Sequence, residues 1–298
     1  MSAPRDTSGH RTVLAIDVGG TKIGAGVVDR SGTLLRSAFE PTPPEVDAEV
    51  IWQALVTAVS RVDHEGSVAV GIGSAGPMSA GGATVSPLNI LGWRDFPLLQ
   101  RVRDEYGLPV VVDGDAKALA VGEGWKGAGA EVDNFLAMVV STGVGGGIVL
   151  DGRLLDGARG NAGHIGHINV VPGGAVCGCT ARGCLEGEIS GTAIAKRIGA
   201  PAAQASPEEV RRAGRLLGEG LGSVANLLDL ELVAVGGSVA LGFGEPFFTA
   251  ANEALHDISR LGFTAGCRVV PVGLGKDGPL IGAGALGWRM LGEDVGVA

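Results

Sequence analysis

The 298-residue chain has no apolar run approaching the roughly 18 residues that cross a membrane, so no membrane span is expected. It has no lysine and arginine cluster, and its formal net charge is −9. Nucleic-acid binding therefore has no electrostatic footprint here. The first dozen residues, MSAPRDTSGHRT, lack the apolar centre of a secretory signal, and residues 1–11 read as a loose, disordered tail. The pattern G-x-x-x-x-G-K-[ST] is missing, which excludes a P-loop nucleotidase. Cysteine is scarce, with four in all, and three of them crowd into one segment. That usage fits a reducing cytoplasm, the expected location.

Glycine is abundant at 53 residues and hydrophobic residues make up 45%. The glycines follow no period and gather at turns between apolar runs, so the chain is neither collagenous nor disordered. The length suits two domains or one large one. Apolar runs predict strands at Val13–Asp17, Ile23–Asp29, Leu34–Phe39, Val68–Ile72, Val110–Val112, Phe135–Val140, Gly147–Leu150, Leu232–Val235 and Cys267–Val272. Helical spacing covers 46–62, 96–106, Asp115 to about Glu123, 187–198, 208–230, 245–261 and 280–290. Strands alternating with helices give an α/β class.

Gly71 to Gly76 matches G-x-G-x-x-G. Pro77, Gly81 and Gly82 cannot continue the helix that a dinucleotide site needs, so the segment is read as a strand leaving into a substrate cleft. Two strand–glycine turn–strand units stand out: Val18-Gly19-Gly20-Thr21-Lys22, and Ser141 to Gly146 with its Thr142, Gly143 and Gly145. They suggest a duplicated architecture with one phosphate-gripping turn in each half. Gly236-Gly237-Ser238 is a third place where backbone can approach a ligand.

Between Gly157 and Glu186, Cys177, Cys179 and Cys184 lie too close in sequence to pair usefully, and His164 and His167 are near. Three thiolates and one imidazole make a closed tetrahedral set of the kind that holds structural zinc, with His167 or His164 as the fourth ligand. Two glycine turns, an acid after a buried strand and a stiff polar loop point to phosphoryl transfer, which needs positioned phosphates, a metal ion and a base. Asp115 is the expected base, and a helix N-cap is the alternative reading of it. Asp17 is placed to hold magnesium through water, and Thr21 and Thr142 each offer a hydroxyl.

Asp17–Lys22, the Ser141–Gly147 turn, Gly163-His164-Ile165-Gly166-His167 and Cys177-x-Cys179…Cys184-x-Glu186 together resemble the ROK family, which holds bacterial repressors and sugar kinases. The resemblance runs from Val13 nearly to the C-terminus. It implies an actin-like (ribonuclease H-like) ATPase fold, two domains with a cleft, divided as 12–113 plus 283–298 and a larger 114–282 carrying the zinc loop. It implies ATP, magnesium and structural zinc on His167, Cys177, Cys179 and Cys184, and transfer to a hexose 6-hydroxyl with Asp115 catalytic. Sugar contacts would come from Gly76, Asn89, Gly114, Asp115, His164, His167 and Glu186. Nucleotide contacts would come from Asp17, Gly19, Gly20, Thr21, Lys22, Thr142, Gly143, Gly145, Gly237 and Ser238. A homodimer or tetramer is implied. The chain starts almost at its first strand, without the repressors' winged helix, which favours a kinase.

Two positions depart from the family pattern. The family usually has Asn before the catalytic Asp, reading sugar hydroxyls at C3 and C4, and here it is Gly114. Losing that amide costs about 1 kcal/mol or more per hydrogen bond and leaves room for another substituent. The family's glucokinases carry Glu where this chain has His164, as in bacterial N-acetylmannosamine kinases. N-acetylmannosamine is therefore the first expected substrate, glucose the second and a 3-amino sugar such as kanosamine the third. A non-catalytic sugar-binding protein is the alternative class.

Overall fold

The computed structural model describes residues 11–44 and 47–298. The tail expectation for 1–11 and the helix start at Val46 fall largely outside them. Among the described residues no helix is long and apolar enough to cross a membrane.

The first half runs β1 (Thr12–Val18), β2 (Lys22–Asp29), β3 (Leu34–Pro41), α1 (Ala48–Ser60), β4 (Ser67–Ser74), α2 (Leu98–Tyr106) and β5 (Val110–Gly114). A central helix, α3 (Asp115–Lys126), leads into β6 (Phe135–Val140), β7 (Val144–Leu150) and the short β8 (Arg153–Leu154). Then come α4 (Leu185–Ile189), α5 (Gly191–Ile198), α6 (Pro207–Leu228), β9 (Leu232–Gly236), α7 (Ser238–Phe243), α8 (Glu245–Ile258), β10 (Arg268–Pro271) and α9 (Gly278–Met290).

The strands form two five-stranded sheets, ordered β3-β2-β1-β4-β5 and β10-β9-β6-β7-β8. Read from the other edge, the second is 8-7-6-9-10. Each half is thus an antiparallel three-strand meander with two parallel strands added beside its first member. The duplication expected from the two glycine turns is present in the topology. β1 is buried along its whole length, as a central strand covered on both faces must be, whereas β3 alternates towards solvent at the edge.

A shared core lies between the halves. It takes Val13 and Ala69 from the first sheet, Phe135 and Ala137 from the second, and Ala118, Val121 and Trp288 from α3 and α9. α3 and α9 approach so closely that a methyl on Gly122 would lie 2.9 Å from the Gly282 Cα, and one on Gly282 would overlap the Ala118 carbonyl. On its other side α9 sits against β4, where a methyl on Gly71 would collide with the Ala283 carbonyl. The last residues reach the second sheet: the Ala298 N–H donates to the Gly152 carbonyl at 2.9 Å, and the Leu154 N–H to the Ala298 carbonyl at 3.1 Å.

Candidate active site

The two glycine turns meet. In the first, the Gly19 N–H donates to the Lys22 carbonyl at 3.1 Å, and the Thr42 hydroxyl to the Gly19 carbonyl at 2.6 Å. The Asn89 side chain occupies the space where a Gly20 side chain would stand, so Asn89 buttresses this turn. In the second, the Ser141 N–H donates to the Gly143 carbonyl at 2.9 Å, and the Ser141 hydroxyl lies 2.9 Å from that of Ser238. The Thr21 and Thr142 hydroxyls are 3.1 Å apart. Both halves therefore present bare turn backbone and a hydroxyl to one point.

Two carboxylates stand beside that point. Asp17 pairs in register with Gly24 and Gly73, neither of which has a side chain. A methyl on Gly73 would sit 3.3 Å from the Asp115 Cα and 3.8 Å from an Asp17 oxygen, so Gly73 keeps open the space between the acids. Burial first, and then the Asp115 charge, push the Asp17 carboxyl up to about 7, against the pull of Lys22. Burial also raises Asp115, opposed by the Ala116 N–H that it accepts at 2.8 Å and by His164. Asp115 is not the helix cap: Gly114 holds the N-cap position, and Asp115 is the first helical residue.

The shift at Asp17 carries a stability prediction. Its unfolded value of 3.8 rises to about 7 on folding. The favourable contribution is therefore complete below pH 3.8 and lost as pH climbs through about 7. A shift of that size corresponds to about 4 kcal/mol. Without nucleotide or divalent metal, Asp17→Asn should melt several degrees above the wild type at pH 8, with the gap closing towards pH 4. Equal melting temperatures at pH 8 would remove the carboxylate from this role.

Beyond Asp115 lie the two histidines, their rings stacked with centroids 5.9 Å apart. His164 faces Gly76, where a methyl would come 3.8 Å from its Cε1. Burial and then His167 hold the His164 imidazole below its ordinary value, against Asp115 and Glu186, so it is neutral at pH 7. Glu186, on α4, accepts the Val144 N–H at 2.9 Å through one oxygen, and the Cys177 sulfur stands 3.7 Å from the other. It ties the second turn to the cysteine loop. A methyl added at Gly114 would lie in ordinary contact with the Lys117 methylenes at 3.7 Å.

His167, Cys177, Cys179 and Cys184 bring one ligand atom each within 4.8 Å of one another. Sulfurs around a tetrahedral ion with ~2.3 Å bonds lie ~3.8 Å apart. Cys179 and Cys184 are separated by 3.7 Å, and Cys177 lies 3.6 Å from His167 Nδ1. The donor set therefore fits a metal ion, and all four cysteines of the chain are free thiols. It is the Nδ1 of His167 that faces Cys177. His164, the other candidate ligand, is outside the set.

Three of the expected contact residues also have packing roles. The Lys22 ammonium rests over the Phe39 ring at 4.5 Å. Gly145 lies inside β7, where a methyl would touch Ala116 at 3.4 Å, and so serves strand–helix packing. Gly237 adopts φ 96° against the Val140 carbonyl, where a side chain would clash, and so starts α7 at Ser238. Not foreseen in sequence was a cavity of about 480 Å³ behind the second turn, lined by Thr142, Gly191, Thr192, Ser238, Val239 and Phe243. Its signal was Gly191-Thr192, whose hydroxyl donates to the Thr142 carbonyl at 3.0 Å.

The ROK family sequence profile matches residues 13–289. The chain belongs to the ROK family. The glucokinase of Streptomyces coelicolor is 38% identical over 273 residues, 90% of this chain and 84% of that protein. The N-acetylmannosamine kinase of Yersinia pseudotuberculosis is 39% identical over 265 residues, covering 83% and 90%. A crystal structure of the ROK glucokinase of Streptomyces griseus with glucose and AMPPNP superposes with a TM-score of 0.82 at 34% identity, covering 93% of this chain and 99% of that one. The ROK fold is actin-like, as the motifs implied. These relatives of the ROK protein described here are sugar kinases.

Proposed function

We propose that this ROK protein transfers the γ-phosphoryl group of ATP to the 6-hydroxyl of a hexose or amino-hexose, with N-acetylmannosamine the favoured acceptor. The observation that carries the reading is that Asp115 stands within electrostatic reach both of Asp17, just before the first glycine turn, and of His164. The turns hold the phosphates, and the cavity behind Thr142 takes the nucleoside. Asp115 draws the proton from the attacking hydroxyl, and its raised affinity for protons suits a general base near neutral pH. Magnesium bound with ATP would supply charge neutralisation, and Asp17 would help to hold it. The His167, Cys177, Cys179 and Cys184 set holds structural zinc, which stiffens the loop that presents His167 and Glu186.

N-acetylmannosamine is favoured because His164, unlike a carboxylate, can both donate and accept a hydrogen bond. The test is ADP release over a panel of glucose, glucosamine, mannosamine and their derivatives, with the phosphorylated carbon located by NMR. Glucose outrunning every amino sugar in kcat/KM would reject the assignment, and no sugar-dependent turnover would favour a non-catalytic sugar-binding protein.

The lack of a side-chain amide at Gly114 favours a second reading, a sugar with an amino group at C3 such as kanosamine. Gly114→Asn should then lower kcat/KM for the 3-amino sugar and raise it for glucose, each by about tenfold, the worth of one or two hydrogen bonds. Parallel changes for both sugars would dismiss it.

A further inference from the structure

Among the described residues, two side-chain contacts that cross between the halves lie at opposite ends of the site. One is Thr21 with Thr142. The other is at the sugar end, where the Asn161 amide lies along the Met78 backbone. Its Oδ1 accepts the Met78 N–H at 3.2 Å, and its Nδ2 donates to the Met78 carbonyl at 2.9 Å. Met78 is 83 residues away, in the segment that leaves β4 past Gly76. A single side chain thus pairs with a peptide as a neighbouring strand would.

The segment bearing Asn161 is itself held firmly. The Lys117 ammonium, on a side chain only 5% exposed, donates to Asp156 at 2.7 Å and to the Gly160 carbonyl at 3.3 Å, and meets Asp113 at 2.8 Å. Lys117 lies in the helix that Asp115 opens. At the other end, the Gly146 N–H donates to the Gly163 carbonyl at 3.0 Å, directly before His164. Residues 156–163 therefore form a strap fixed to the second half at both ends; the Asn161 amide ties it directly to the first half, and Lys117 bridges it to Asp113.

We propose that Asn161 is a positioning residue for the sugar: it latches the strap to Met78, fixes the approach of His164 to Gly76, and shuts the sugar end against water. The inference rests on the sugar-kinase reading, and Asn161 touches no reacting atom. Loosening the latch weakens sugar binding and admits water as an acceptor, while the nucleotide pocket behind Thr142 is left intact.

Asn161→Ala should raise the sugar KM roughly tenfold, the worth of one or two hydrogen bonds, and change the ATP KM less than about twofold. ADP release should exceed sugar phosphate formed. Asn161→Asp keeps the size but sets a carboxylate against the Met78 carbonyl, and should behave like the alanine variant. Independently of turnover, amide exchange at Met78 with an ATP analogue bound should quicken in both variants, while β1 amides stay protected. An unchanged sugar KM with ADP and sugar phosphate still equal would overturn the latch. So would equal rises in both KM values with a lower melting temperature, which would mark a purely structural contact. If the wild type phosphorylates no sugar, the functional reading falls by itself, and unchanged Met78 protection in the variants would then separately overturn the latch.

Discussion

Asp115→Asn should bind sugar and nucleotide at close to wild-type concentrations and lose at least about a hundredfold in kcat. The replacement keeps the shape at the start of α3, since Asn can accept the Ala116 N–H as Asp115 does at 2.8 Å. What it removes is the proton acceptor. Burial already keeps Asp115 from ionising as readily as a surface carboxylate, which suits the general base proposed for it. The Asp17 carboxylate would also be relieved of a neighbouring charge, and its proton should leave at lower pH in the variant. Steady-state kinetics with calorimetric binding separates the effects. A variant with full kcat, or one that no longer binds sugar, would take the base away from position 115.

Removing the metal should be the other large effect. Cys179→Ser, or prolonged chelation, is expected to abolish bound zinc by elemental analysis and to raise the sugar KM by at least about tenfold, with a smaller change for ATP. Disturbing even the surroundings of a metal ligand commonly costs ~10–100-fold in affinity or activity. The asymmetry follows from position. His167 belongs to the ligand set, and Glu186, beside Cys177, also holds the Val144 N–H of the second turn. The cavity behind Thr142 is lined by residues of the second turn, α5 and α7, none of them a member of the ligand set. Tight sugar binding by metal-free protein would break the link between ion and substrate.

The geometry was legible in sequence where residues close in the chain also sit together: each glycine turn, the cysteine cluster and the Gly163–His167 string. Elements were misread where a neighbour decided the outcome. Residues 187–198 look like one helix but split at Ser190, whose extended backbone lets its hydroxyl accept the Ala193 N–H and cap α5. β7 begins at Val144, three residues before the expected Gly147, because its glycines stay in the strand. A methyl on Gly147 would lie 2.7 Å from both the Ala116 carbonyl and the Ala120 methyl, so glycine here signals close packing. α7 follows directly from the Gly237 turn and is too short to show a helical period. The Asn161–Met78 pair could not be read at all, since nothing local links two residues 83 apart.

The glycine-lined crossing of α3 with α9 has a mechanical meaning. Where helices usually interlock knob into hole, these two meet backbone to backbone at Gly122 and Gly282. A methyl at position 282 would wedge them apart and disturb the core that both halves share.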